Sequence, residues 1–252
     1  MLRKPSRLVP CLLAALLLAA CSVLSSNSDP APGASPTSGS TSGSSSSSSS
    51  SAGGSTDKVT GSGRVKTEPR SVAGFDRIRI SGIGELVIDQ TGEESLTIEA
   101  EDNLLPLLVS EVEGNRLTLG LRPNTSISTT RPIVYRLNVK SLREISGEGT
   151  VQIAASGLDT AEFALNTSGT VVSVLSGSAQ NQNVLMSGAG SFDGRNLFGR
   201  TAEVEVSGTA QAVVNVTQSL SIRASGTAVV RYLGDPQVNL QTSGLGKAEK
   251  AQ

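Results

Sequence analysis

The sequence predicts an all-β protein built as a solenoid of stacked β-coils, with about 18–22 residues per coil. First, a Ser-Gly dipeptide recurs through the second half at intervals of about 20 residues, a repeat length that is typical of solenoids. Second, apolar and polar residues alternate on both sides of each dipeptide, as in half-buried strands. Third, no segment keeps helical spacing with caps for even about ten residues. The dipeptides are Ser146-Gly147, Ser168-Gly169, Ser187-Gly188, Ser207-Gly208, Ser225-Gly226 and Ser243-Gly244, with an early copy at Ser81-Gly82.

The N-terminus has the pattern of a bacterial export signal. Three basic residues precede an apolar run over 8–20 that is short for a transmembrane span. The run ends in Leu-Ala-Ala before Cys21, which resembles the lipobox of bacterial lipoprotein signal peptides. That resemblance implies removal of residues 1–20 and a lipid on the Cys21 thiol that anchors the protein to the membrane. An ordinary signal peptide and an uncleaved anchor are the alternatives.

Cysteine content and charge narrow the class of protein. The other cysteine, Cys11, lies in the segment to be removed, so the mature chain cannot form an internal disulfide. An exported domain without disulfides must be stable through its own core. Loss of Arg3, Lys4 and Arg7 leaves 18 basic and 22 acidic residues, a net charge of −4. Nucleic-acid binding needs a strongly basic face, and this balance offers none.

A low-complexity linker separates the signal from the rest. It consists of Ser, Gly, Thr, Pro and Ala, with eight consecutive serines ending at Ser51, and such a segment buries too little apolar surface to fold. A mucin-like modified stalk is the alternative to a plain tether. The sequence therefore predicts a signal peptide over 1–20, a lipidated cysteine with a disordered tether over 21–57, and a head domain over 58–252. The head is long enough for one domain with its own core.

The first half of the head reads as short strands with some antiparallel pairing. Apolar and polar residues alternate over 75–88, on both sides of a turn predicted at 81–84. Two further apolar stretches, 109–112 and 117–121, flank a polar turn around Gly114. This arrangement predicts an antiparallel hairpin.

These residues resemble the GIN-domain family of bacterial envelope proteins. The resemblance rests on the sequences of 70–78, 81–84, 101–105 and 117–119, and it covers essentially all of 60–250, including the Ser-Gly repeats. The family is a domain of unknown function described as an auto-transporter adhesin head. Membership implies a right-handed parallel β-helix at the cell surface or in the periplasm. It supplies no established activity and no catalytic residues.

Each repeated serine is predicted to mark the outer corner of a coil, and each following glycine to lie inside it. With the serine at position zero, position −3 is aliphatic in every copy except that of Ser146, which has Arg143 there. Position +3 is Gly or Ala except at Val171. Either a φ value that only glycine tolerates or the close approach of another wall would explain the small residues. The serines should form a column of hydroxyls bonded to neighbouring coils or to backbone.

The residue types argue against an enzyme or a metalloprotein, and no cofactor is predicted. The chain has no His, which excludes the Ser-His-Asp triad and, without a free Cys, the usual zinc and copper ligand sets. Glu99, Glu101 and Asp102 leave either a calcium site or a solvated acidic loop. A glycan-active enzyme using two carboxylates such as Glu144 and Glu148 is the alternative to a non-catalytic head.

The sequence thus predicts a cell-envelope lipoprotein, periplasmic or surface-exposed, that presents a non-catalytic β-solenoid head. We expect an adhesin or macromolecule-binding module whose partner is a surface protein or a glycan. Binding would use many weak polar contacts along a flat face rich in Ser, Thr and Asn. A structural or signalling role in the envelope is a further alternative.

Overall fold

The computed structural model describes residues 58–251, which form an all-β structure with mixed sheets. The predicted signal peptide, Cys21 and the tether lie outside the described residues. Strands account for 79% of the described part, and only a 3-10 turn at Leu105–Leu107 is helical there. In residues 58–251 no helix has the length and apolar character that crossing a membrane requires. The strands are β1 (Lys58–Thr60), β2 (Val65–Arg70), β3 (Arg77–Gln90), β4 (Ser95–Glu101), β5 (Leu108–Glu113), β6 (Arg116–Leu121), β7 (Ser126–Ser128), β8 (Val134–Val139), β9 (Glu144–Leu233), β10 (Gln237–Gly244) and β11 (Lys247–Lys250).

The N-terminal half combines parallel and antiparallel pairing. The predicted hairpin is confirmed: β5 and β6 pair antiparallel on either side of Gly114, whose φ is +59°. β4 also pairs antiparallel with β2 and β8, whereas β3 pairs parallel with β6, β8 and β9. The turn predicted at 81–84 is wrong. β3 continues through it as one strand, because a positive φ of +99° at Gly82 bends the backbone without ending the ladder.

β9 lies against itself, one repeat after another. A Cβ added to Gly188 would lie 2.5 Å from the carbonyl oxygen of Gly169, and one added to Gly208 would lie 2.5 Å from that of Gly188. β10 continues the pattern, because it pairs parallel with the last repeat of β9 and sets Gly244 beside Gly226. We call the residues between two successive stacked glycines a repeat segment.

The first repeat stands two positions further along the chain than the Ser-Gly pattern indicates. Gly82 of β3 pairs with Gly149 of β9. A Cβ added to Gly169 would lie 2.6 Å from the backbone oxygen of Gly149, so Gly149 and not Gly147 is the neighbour of Gly169 in the column. Gly147 is buried and does not belong to this column. The shift places Ile145, instead of Arg143, at position −3, so the exception in the aliphatic pattern disappears. The equivalent dipeptide here is Glu-Gly, which a search for Ser-Gly cannot find.

The stacked glycines lie at outer corners, so their predicted inward placement is wrong. Gly188 and Gly208 are exposed, with φ values of +106° and +105°. The inward position at this corner is +3, where Ala210 is buried. Glycine is therefore required for its φ value, and the backbone that approaches it belongs to the preceding repeat segment and not to an opposite wall.

The core runs along the stack beneath the alternating strands. Phe75, Phe163 and Phe192, predicted to be core residues from their alternation, are at most 3% exposed. Burying a side chain of this size contributes about 1.5–3 kcal/mol relative to leaving it exposed. Since each repeat segment adds inward residues to the same core, the outward residues are held in fixed rows.

Candidate binding groove

A groove of about 850 Å³ runs along the stack, across the outward side of seven neighbouring strand stretches. With strands about 4.8 Å apart, six steps give a length of roughly 29 Å. Most of its walls come from consecutive triplets at equivalent places in successive repeat segments. The triplets are 162–164, 181–183, 201–203, 219–221 and 237–239, and Arg77, Arg143 and Glu144 complete one end.

Strand register aligns these triplets into rows. β10 sets Gln237 beside Ser219 and Asn239 beside Ser221. In the first four triplets the middle residue is buried, as Leu220 is at 1% exposure, so the residues on either side face the groove; Val238, in the last triplet, is exposed. The walls consequently carry mainly amide, hydroxyl and carboxylate groups, over a floor that is apolar except at Gln182. The expected Ser/Thr/Asn-rich face exists, but it is concave where the sequence analysis expected it to be flat.

One end of the groove is charged. The Nη1 of Arg77 and the Nη2 of Arg116 lie 3.7 and 3.6 Å from the carboxylate of Glu144. The Nε of Arg143 lies 3.5 Å from Asp76. Three guanidinium groups therefore surround two carboxylates at this end, and the carboxylate of Glu162 follows in the next row.

Gln182 is a buried polar residue of the groove that the sequence analysis missed. It is 3% exposed at a place where the other repeat segments carry Phe, Ala or Leu. Its Nε2 donates to the backbone oxygen of Leu197 at 3.1 Å, while its Oε1 has no partner among the described residues. Gly199 makes room for the amide, because a Cβ there would lie 2.5 Å from Nε2. The sequence could have indicated this residue, because Gln182 occupies a position that is apolar in the other triplets.

The acidic residues considered for calcium do not converge. Glu99 faces Arg136 at 4.0 Å, and Asp102 forms an ion pair with Arg64 at 2.8 Å. Glu101 turns inward, away from both, and is fully buried. Within residues 58–251 no group of three acidic, His or Cys side chains is placed to hold a metal ion.

Glu101 holds the N-terminal loop of the head in place. Its carboxylate accepts hydrogen bonds from the backbone N–H of Gly63 at 2.7 Å and from both the hydroxyl and the N–H of Thr130, at 2.6 and 3.0 Å. These bonds, the Thr130 hydroxyl above all, lower the pKa of Glu101 despite its burial. Gly61 packs directly over the carboxylate, and a Cβ there would overlap it. The role of Glu101 is structural.

The two carboxylates considered for glycan hydrolysis do not share the groove. Glu144 lines it, but Glu148 is not part of its lining. Arg79 donates two hydrogen bonds of 2.9 Å to the two oxygens of Glu148.

The repeated serines do not form a continuous hydrogen-bonded column. In the described part of the chain, Ser187 is the one member whose hydroxyl donates to the backbone of a neighbouring segment, at 3.3 Å from the oxygen of Thr167. Ser146 donates instead to Glu144, at 3.1 Å. The glycines, and not the serines, are what the stacking requires.

Comparison with known proteins supports the resemblance seen in the sequence. Residues 74–236, more than half of the chain, match the model of the family described as "Putative auto-transporter adhesin, head GIN domain". A search of curated proteins gave no match.

Several solved structures are similar in fold. A "putative adhesin" from Bacteroides fragilis is 20% identical with a TM-score of 0.62, covering 77% of this chain and 100% of that one. A "putative adhesin" from Parabacteroides merdae is 18% identical with a TM-score of 0.51, covering 78% and 100%. A "putative lipid binding protein" from Parabacteroides distasonis is 21% identical with a TM-score of 0.51, covering 77% and 100%. At these identities the likeness establishes the fold alone.

Proposed function

The chain belongs to the family of adhesin-head GIN domains, and from this premise we propose that it is a cell-envelope protein that binds a macromolecule through the groove. The groove carries the proposal, because it is long, polar-walled and built from rows that repeat with the strands. A ligand that extends over several rows can gather many weak contacts, which is how an adhesive surface gains affinity. A small metabolite would engage only a fraction of these rows.

We propose that the scaffold of this groove is a right-handed parallel β-helix, with about 18–22 residues in each turn. The parallel pairing of β10 with the last repeat of β9 supports it, as does the column of stacked glycines. Right-handedness is supported by the strong preference of parallel strand crossovers for that hand. Such a scaffold would keep the rows of the groove rigid.

We also propose that residues 1–20 are a lipoprotein signal and that Cys21 anchors the head through a tether over 21–57. The lipobox-like run before Cys21 and the Ser-rich composition support this. A flexible tether of this length reaches roughly 30–35 Å. Labelling of cells with a clickable fatty acid should mark the wild-type protein. Cys21→Ser should lose the label and leave the membrane fraction, and retention of both would contradict the anchor.

The full chain, purified in detergent, can be screened against arrays of glycans and of envelope and matrix proteins. Asn183→Arg places a bulky side chain in the groove, whereas Gln211→Arg makes the same change at an exposed site outside its lining. We expect Asn183→Arg to lose binding and Gln211→Arg to retain it. Absence of any partner, or equal binding by both variants, would reject the groove as the binding site.

We propose that the head is non-catalytic. Two observations support this: Glu148 is not part of the groove lining, and Arg79 donates hydrogen bonds to both oxygens of its carboxylate. Release of reducing or unsaturated ends from any glycan that binds, lost in Glu144→Gln, would establish the enzyme alternative instead.

A further inference from the structure

We propose that the groove binds an extended, mostly neutral glycan that carries a carboxylate at one end of the bound stretch. Arg77 and Arg143 would hold the carboxylate, and the amide and hydroxyl side chains of the later repeat segments would hold the neutral sugars. This inference rests on the proposed function, since it names the ligand class of the same groove. It follows from how charge and hydrogen-bonding groups are distributed along the walls.

The charged end has donor capacity left for an anion. The ion pairs of Arg77, Arg116 and Arg143 with Asp76 and Glu144 measure 3.5–4.0 Å between nitrogen and oxygen, beyond usual hydrogen-bond distances. Within residues 58–251 none of the three guanidinium groups donates a hydrogen bond, and the side chains of Arg77 and Arg143 are 43% and 65% exposed. A guanidinium fork binds a carboxylate with two parallel hydrogen bonds, so an incoming carboxylate fits this end.

The other end carries no charge. Its walls are formed by Ser219, Ser221, Gln237 and Asn239. Hydroxyl and amide groups both donate and accept hydrogen bonds, which matches the mixed donors and acceptors of sugar hydroxyls. Because such groups recur in each of the last four rows, a polymer of sugars lying along the stack would meet similar partners at each of these steps.

The charge of the whole lining argues against a uniformly charged polymer. Arg77 and Arg143 are the basic lining residues, whereas Glu144, Glu162 and Glu203 are acidic. A nucleic acid or a polyuronate would bring negative charges against Glu162 and Glu203, which lie beyond the arginine end, and Glu203 already pairs with Arg223. A single carboxylate at the arginine end stays clear of Glu203 and meets Glu144 only where Arg77 and Arg116 lie beside it.

The position of the groove argues against an extended peptide. Peptides bound as an added strand pair with a free sheet edge. The groove instead runs over the side-chain face, where neighbouring strands such as β9 and β10 are already paired with one another. The contacts it offers come from side chains, which suits hydroxyl-rich sugars.

The test uses the full chain on an array of matched oligosaccharides, each present with and without a terminal glucuronic or sialic acid, together with oligogalacturonate and polyglutamate. We expect the capped member of at least one pair to bind about tenfold more tightly than its uncapped partner, as one charge-assisted contact allows. Arg143→Gln, at a side chain 65% exposed, should abolish that preference and leave binding of the uncapped sugar. Arg136→Gln, 59% exposed on β8, is the matched control and should keep the preference.

Several results would overturn the inference. They are the absence of glycan binding by the folded wild type, tighter binding of oligogalacturonate or polyglutamate than of any capped sugar, and an acid preference unchanged by Arg143→Gln. If only a protein partner binds, and Asn183→Arg blocks it, the glycan inference is rejected while the proposed function stands. If ligands bind but Asn183→Arg has no effect, the proposed function itself is rejected.

Discussion

Replacing Gly208 with alanine tests the stacking of the repeat segments directly. Gly208 has a φ of +105°, and a Cβ there would lie 2.5 Å from the backbone oxygen of Gly188. The backbone conformation costs a non-glycine residue about 1–3 kcal/mol, and overpacking costs about 1–3 kcal/mol more. Lower entropy of the unfolded chain returns about 0.4–1 kcal/mol. We therefore expect the free energy of unfolding to fall by about 1–5 kcal/mol, a large share of the roughly 5–15 kcal/mol of a typical domain.

Two control variants distinguish the cost of backbone strain from the cost of steric contact. For each variant, the free energy of unfolding is measured in urea by circular dichroism. Gly92→Ala introduces strain alone, because Gly92 has a φ of +88° and no atom within 4 Å of the added Cβ. Gly190→Ala introduces contact alone, because its φ is not in the left-handed region and the Cβ would overlap the backbone oxygen of Val171. The loss for Gly208→Ala should approach the sum of the other two. A loss no greater than that of Gly92→Ala would refute the stacking contact.

Two predictions concern pH. The pKa of Glu101 is lowered, chiefly by the Thr130 hydroxyl, so its contribution to stability is complete above about pH 4.3 and is lost as the pH falls through the lower folded value. Melting temperatures between pH 3 and 7 should show a larger acid loss in the wild type than in Glu101→Gln, which keeps the losses due to Glu94 and Asp102 and should be less stable at pH 7; an equal acid loss in both would contradict the assignment. Burial raises the pKa of Tyr135, so the free energy of unfolding should fall above about pH 10, where only the unfolded phenol ionises, and Tyr135→Phe should remove that fall. A Tyr135 phenolate absorbance that rises near pH 10 in protein of unchanged circular dichroism would refute its burial.

The sequence was sufficient for the repeat and for the core, because both depend on local periodicity. Alternation alone identified Phe163 and Phe192 as buried. The register of the first repeat was missed because Ser146-Gly147 matches the motif by composition, whereas the stacked corner is formed by Gly149 and its pairing with Gly82. Arg143, the exception to the aliphatic residues at position −3, already indicated that this copy was misaligned.

Features that depend on distant parts of the chain could not be predicted in the same way. Glu101 follows the inward Ala100, so alternation places it outward. Its burial arises because Gly63 and Thr130, both far from it in sequence, close over the carboxylate. The concavity of the groove was likewise missed, because alternation assigns a side chain to one face of a strand and carries no information on the shape of that face. The sequence predicted that the face is polar but did not predict that it is a groove.

The column of stacked glycines also restricts how the groove can change in evolution. An insertion or deletion of a few residues within β9 would move a side chain onto the carbonyl of the preceding glycine, as the 2.5 Å separation at Gly208 illustrates. Loss or duplication of a whole repeat segment keeps the column intact. It would shorten or lengthen the groove by one triplet row, about 4.8 Å. The length of ligand that the head accommodates should therefore vary between relatives in whole steps, each corresponding to one repeat segment gained or lost.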